Sequence, residues 1–369
     1  MNYKRMPIEM ESPEQLGYNT IKHNLAESSV SDQVFKNLNI NINDLVLCYT
    51  DHYGKPELRN LIINDYKQLQ QNDVLLTVGA ASALFIISTT LLSKDDHLIV
   101  VRPNYATNIE TPRAIGCHIS FIDLNIDDNW KINRNEIIKA IKPNTKYISV
   151  TNPHNPTGVV LAQHEIDELV KIAEEHNVYL LVDETYRDLN FTVKQPLAAT
   201  LNNKVISVSS VSKAFGLPGI RLGWLITQDK PLMEKFLAAK EQIFICNSAL
   251  DEEVAYQFML NKQAYYAPIQ QRYMHNFEVL KTWLATESKR IKCVVPQGGT
   301  VCFACITANV NIEQFYTILV NKYATMIGAG HWFEMPDTYM RIGFGWPTET
   351  EFEQGLHNIT LALNESIHS

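Results

Sequence analysis

Ser207-Val208-Ser209-Ser210-Val211-Ser212-Lys213-Ala214-Phe215-Gly216-Leu217-Pro218-Gly219-Ile220-Arg221-Leu222-Gly223-Trp224 is the stretch on which the reading of this chain turns. A β-rich run from Lys204 to Ser209 ends in small hydroxyl residues, and a single lysine, Lys213, follows. Gly216, Pro218 and Gly219 come next, dense enough to fix an irregular backbone rather than a helix. Small residues around Lys213 leave room for something flat and bulky beside its amine. Lysine forms Schiff bases with carbonyls once its ammonium stands where it can lose a proton. Ser210 and Arg221 lie on either side of it, and both suit a phosphate.

Outward from this stretch, strands alternate with helices. Upstream, Val178 to Val182 is an apolar strand ending in Asp183, which puts a carboxylate at the carboxyl end of a parallel sheet. Ligands bind at that edge in open α/β folds. Further strands are expected at Val74 to Val78, His97 to Val101, His118 to Ile122 and Lys146 to Thr151. Gly79, Ala80 and Ala81 open an apolar helix after the first of these, and a helix amino terminus behind a strand is an anion site. Asn152-Pro153-His154-Asn155-Pro156-Thr157-Gly158 reads as a tight, rigid loop. Helices are expected at about 55 to 70, 133 to 141 and 165 to 176, with long helical stretches from about 231 to 284. The alternation makes the fold α/β. A large domain spans residues 45–270, and residues 1–44 and 271–369 form a smaller α/β domain.

Composition narrows the function. A net charge of −8 excludes the basic footprint of a nucleic-acid binder. The longest apolar stretch, Ala83 to Leu92, is too short to span a bilayer, and the amino terminus has no apolar signal region. The cysteines are scattered, which fits a reducing cytoplasm. Cys302 and Cys305 lie on one strand and point to opposite faces, so no metal site is expected there.

The lysine segment resembles that of the class I/II aminotransferases, which are fold-type I enzymes dependent on pyridoxal 5'-phosphate (PLP). Their pattern Ser-x-Ser-Lys-x-x-Gly-x-x-Gly-x-Arg-x-Gly is matched at Ser210, Ser212, Lys213, Gly216, Gly219, Arg221 and Gly223. The resemblance covers nearly the whole chain. It implies a mainly parallel, seven-stranded type of sheet, Lys213 as the cofactor lysine and Asp183 as the partner of the pyridine nitrogen. It further implies that Tyr186 bonds the ring oxygen, that Tyr105 stacks on the ring, and that Gly79, Ala80 and Ala81 cup the phosphate. Asn155, in a complete match to Asn-Pro-x-Asn-Pro-Thr-Gly, would bond both the cofactor and the substrate carboxylate. Arg341 would fork onto that carboxylate. In the family a tyrosine crosses a dimer interface to the partner's phosphate. Tyr49 has the right spacing to Gly54, and Tyr53 competes at the wrong spacing. The chain departs from the family at Ser28, where glycine is usual near the substrate, and at Ala329, where proline is usual.

The resemblance implies a cytoplasmic homodimer that moves an amino group between an α-amino acid and a 2-keto acid. Two alternatives use the same lysine: elimination of a β-substituent, or a capreomycidine-synthase-like cyclisation of a cationic amino acid. A third reading is the effector module of a transcription regulator, but about 45 residues before Tyr49 are too few for a winged-helix domain. Glu27 beside the expected substrate edge, with Ser28, His331, Trp332 and the overall acidity, predicts a polar or cationic substrate side chain.

Overall fold

Runs such as Val205–Ser210 and His97–Arg102 are buried along nearly their whole length, as strands are when both faces of their sheet are covered. In the computed structural model, which describes residues 1–191 and 195–367, these runs are the centre of a large sheet. Its strands are β2 (Val74–Thr77), β3 (His97–Arg102), β4 (His118–Asp123), β5 (Thr145–Thr151), β6 (Tyr179–Asp183), β7 (Val205–Ser210) and β8 (Gly223–Ile226), after the short β1 (His23–Asn24) near the amino terminus. Among the described residues seven strands lie in the order β2-β8-β7-β6-β5-β3-β4. Only β8 runs against its neighbours; the other pairings are parallel. The carboxyl ends of β2, β3, β5, β6 and β7 therefore share one edge.

The helices Gly79–Leu91, Thr107–Ile115, Gln163–Glu175 and Lys230–Ile243 flank this sheet. Asn133 caps the helix Arg134–Ala140 through a bond from the Asn135 amide, 3.0 Å. The helix expected over 55 to 70 is shorter, Pro56–Ile63. Asn64 and Asp65 follow it, and both side chains compete with helical backbone hydrogen bonding.

The smaller sheet contains β9 (Ile291–Cys293), β10 (Val301–Ile306), β12 (Gly328–Ala329) and β13 (Tyr339–Gly343), all antiparallel, while β11 (Thr325–Met326) pairs in parallel with β1. The amino-terminal segment, expected to end at residue 44, is thus stitched to the carboxyl-terminal part. The other division, at 270, falls inside the helix Lys262–Thr286, which runs through it with Pro268 in its interior. One apolar cluster also joins the two parts, holding Leu76 and Phe258 together with Phe315 and Phe352. Cys302 belongs to this cluster and Cys305 packs on another, on the opposite face of β10. Among the described residues no helix is long and apolar enough to cross a membrane.

Candidate active site

The loops that leave β2, β3, β5, β6 and β7 bound a cavity of about 450 Å³. They bring to it Ala80 and Ala81, then Tyr105, Asn155, the Asp183–Tyr186 turn, and Ser210, Ser212 and Lys213. Arg221 and Arg341 complete the wall from outside the parallel strands, and Glu27 and Ser28 close it from the amino-terminal segment. Residues scattered over more than 300 positions of sequence meet here because strand ends converge on one edge.

Asp183 is 4% exposed. Its carboxylate accepts from the Thr185 amide at 3.1 Å and the Thr185 hydroxyl at 2.6 Å. Burial raises its pKa, against the downward pull of Thr185 and Asn108. Among the described residues it forms no ion pair with a lysine or arginine. Tyr105 follows Asn104, whose side-chain oxygen holds the Tyr105 amide at 2.7 Å and also accepts from Thr151 and Asn108. Burial pushes the Tyr105 phenol up, and Lys213 and Asp183 both act on it electrostatically.

Arg341 is 3% exposed, a guanidinium inside the protein with no carboxylate ion-paired to it among the described residues. One of its terminal nitrogens donates to Asn155 Oδ1 at 3.2 Å and the other to the Ala26 carbonyl at 2.8 Å, while its Nε has no partner among the described residues. Phe333 and Trp332 lie under the group, 5.0 and 5.9 Å away. Burial pulls its pKa below the ordinary value, opposed by Tyr186 and Glu27. The Tyr186 hydroxyl, also buried, lacks a partner of hydrogen-bonding geometry, and burial pushes it up to about 12. Buried polar atoms left unpaired like these are costly in a finished interior, and they face a cavity.

At the end of the cavity where a phosphate is expected, the helix Gly79–Leu91 presents its amino terminus. Gly79 has φ +74°, and a Cβ there would stand 2.7 Å from an Arg221 terminal nitrogen. Gly223 is equally constrained, because a Cβ on it would meet the Gly79 backbone at 2.5 Å. The two glycines let Arg221 lie against the helix start. Arg221 itself holds a left-handed φ of +40° and donates to the Pro218 carbonyl at 2.8 Å. The Ser212 amide donates to Ser210 Oγ at 3.3 Å.

Tyr53 donates to Glu234 at 2.6 Å and is committed away from the cavity, whereas Tyr49 is 81% exposed on its own chain. Glycine is not required at 28: Ser28 has no positive φ, and its carbonyl accepts from the Thr300 hydroxyl at 2.9 Å. Close approach is supplied from the other side. A Cβ on Gly343 would fall on the Glu27 carbonyl, and one on Gly216 on the Ser31 carbonyl. The Lys213 carbonyl accepts from Val30 at 3.0 Å, so the segment 25–33 is seamed directly to the lysine loop. His331, expected beside the substrate, does not line the cavity. It bridges Glu11 and Asp337, at 2.8 Å each, and only its neighbour Trp332 reaches the cavity wall. Glu9, Ser12, Glu14, Tyr18 and Asp32 also line the cavity. Sequence reasoning missed them because residues 1–45 have no period that marks a face.

Residues 14–359 match the model of the family "Aminotransferase class I and II". The chain belongs to that family. It is 28% identical over 293 residues to capreomycidine synthase of Streptomyces vinaceus, covering 79% of this chain and 74% of that protein. It is 25% identical over 329 residues to an aspartate aminotransferase of Sulfurisphaera tokodaii, covering 84% and 80%. A solved PLP-dependent aminotransferase of Streptococcus suis superposes over 100% of both chains, with TM-score 0.91 and 25% identity. These aminotransferases are PLP-dependent, and the residues present fit that cofactor. The helix start with Arg221 and the serines suits a dianionic phosphate, Asp183 a pyridinium, and the unpaired Tyr186 hydroxyl a ring oxygen.

Proposed function

We propose that this protein transfers the amino group of an α-amino acid to a 2-keto acid, with Lys213 carrying the cofactor. The observation that supports this most is the meeting of Lys213, Asp183, Arg221 and Arg341 in one cavity with no carboxylate ion-paired to either arginine among the described residues. When bound, PLP supplies a reactive carbonyl carbon and a ring that takes up the electron pair freed at the substrate Cα. Ser210, Ser212, Arg221 and the amides at Gly79, Ala80 and Ala81 would hold its phosphate. Tyr105 would pack against its ring, and Tyr186 and Asn155 would bond its ring oxygen. Asp183, buried and without a cationic partner among the described residues, would keep a proton on the ring nitrogen. Arg341 takes the substrate carboxylate and orients the Cα–H bond. Lys213 would hold the cofactor through its amine, and its Nζ would be the group that takes and gives back the substrate Cα proton. The segment 25–33 and Trp332 keep water from the reacting atoms.

A second reading, elimination or cyclisation of a cationic amino acid, draws on the capreomycidine synthase among the relatives and on the carboxylates in the cavity. One experiment separates the two. Holoenzyme is mixed with single amino acids, and the cofactor spectrum and products are followed. Transfer predicts a stoichiometric 2-keto acid and an aminated cofactor that a second keto acid restores. Ammonia release, or a cyclic product with the cofactor unchanged, would replace transfer by the second reading.

A further inference from the structure

The acids of the cavity are not balanced by its bases. Its cationic side chains are Lys213, Arg221 and Arg341, and the proposed function, on which this inference rests, matches each to the cofactor or the substrate carboxylate. Glu9, Glu14, Glu27 and Asp32 remain, with no lysine or arginine ion-paired to any of them among the described residues. Two of these carboxylates are held in place by neutral donors. Tyr18 donates to Glu27 at 2.9 Å, and Trp346 Nε1 donates to Asp32 at 2.9 Å. The Tyr18 and Trp346 rings stack on each other, 6.0 Å apart and 14° from parallel. The arrangement is two fixed carboxylates joined by a stacked aromatic pair.

Other observations tie this group to a ligand. Glu14, Glu27 and Asp32 line one cavity with Tyr18, and burial and their charges all push its phenol up. Arg341 lines the same cavity, and Glu27 and Glu14 both act on it electrostatically. Ser12, 6% exposed, lines the same cavity with an Oγ that has no partner among the described residues. It is a buried acceptor waiting for a donor. Carboxylates, an unpaired hydroxyl and aromatic faces together suit a cation with several N–H donors.

We propose that the substrate side chain ends in a guanidinium or ammonium group, selected by Glu27 and Asp32, with Glu14 and Ser12 beside them. An α-carboxylate on Arg341 sets the direction, and the cationic end reaches the Tyr18–Trp346 pair. A side chain ending in a carboxylate meets three like charges there, Glu27, Asp32 and Glu14, and is rejected.

The test uses holoenzyme and unreactive probes, the 2-hydroxy analogues of arginine, norleucine and glutamate, with binding read by calorimetry. The arginine analogue should bind about tenfold or more tighter than the norleucine analogue, and the glutamate analogue weakest. The combined Glu27→Gln and Asp32→Asn variant should lose most of that preference. Trp346→Phe keeps a ring but drops the donor to Asp32, and should lose part of it. Its melting temperature and cofactor spectrum show whether it is folded. Equal or tighter binding of the neutral or acidic analogue overturns the proposal, as does a preference that survives the double variant. If norleucine or glutamate then turns over to its keto acid, the transfer reading stands and only the cationic pocket falls. If no amino acid turns over and no analogue binds, both fall.

Discussion

Arg341 shows what a buried charge without a counter-charge implies. A guanidinium 3% exposed is expensive to keep from water, and an asparagine and one carbonyl repay only part of that cost. Its orphaned Nε leaves a place for a planar anion that can accept two parallel bonds. Arg341→Ala should therefore lower kcat/KM by about 10² or more, because the carboxylate loses a charged partner at a closed site. Arg341→Lys should recover little, since an ammonium cannot fork. Steady-state kinetics on both variants check this, and full recovery by lysine would show that charge alone is read. Arg341 could be picked from sequence because an arginine on a strand of the small part completes a motif. Of the carboxylates around Tyr18, only Glu27 could. Glu14 and Asp32 look like any solvated acid until the chain is folded around them.

At the scale of elements, the site is made by strand ends and by one seam. Strand ends were legible: an apolar run followed by Asp183, by Asn152–Gly158 or by Lys213 carries its own signal. The seam was not. β1 and β11 pair over two residues each, which leaves no period to read, and Gly216 and Gly343 look like ordinary turn glycines although they serve close approach to segment 25–33. The helix Pro7–Glu11 is fixed by a comparable contact. Glu11 accepts from His331 and from Trp332 Nε1, and His331 also meets Asp337. Burial pulls the His331 imidazolium down, but Asp337 and Glu11 outweigh it and hold the pKa above its ordinary value. A histidine raised on folding adds stability that is fully present below its unfolded pKa, about 6.5, and is lost as pH rises through the folded value. Denaturant midpoints of the wild type and His331→Gln should thus differ most below pH ~6.5 and converge as pH rises past the raised folded value. A gap that is constant with pH would mean that His331 acts by packing and not by charge.

For the whole molecule, one face of the chain bears on the site without touching it. Val46, Leu47 and Tyr49 are 71, 79 and 81% exposed, an apolar strip that a lone chain would leave in water. We expect a homodimer in which this strip is covered and Tyr49 reaches the partner's phosphate. Mixed Tyr49→Phe and Lys213→Ala protomers should then form hybrids with one intact site. Half the dimers are hybrids with one intact site of two, so about a quarter of wild-type activity should appear beyond what the parent homodimers retain. Activity no greater than the sum of the parents would place Tyr49 and Lys213 in separate tasks. The central claim is that strand ends, seam and small sheet all converge to present one lysine to the cofactor. It is tested most directly by reducing the holoenzyme with borohydride and mapping the cofactor-labelled peptide. The account predicts label on Lys213 alone, and none on the Lys213→Ala variant, whose melting temperature shows it folded. Label on any other lysine, or label that persists in the variant, would contradict it.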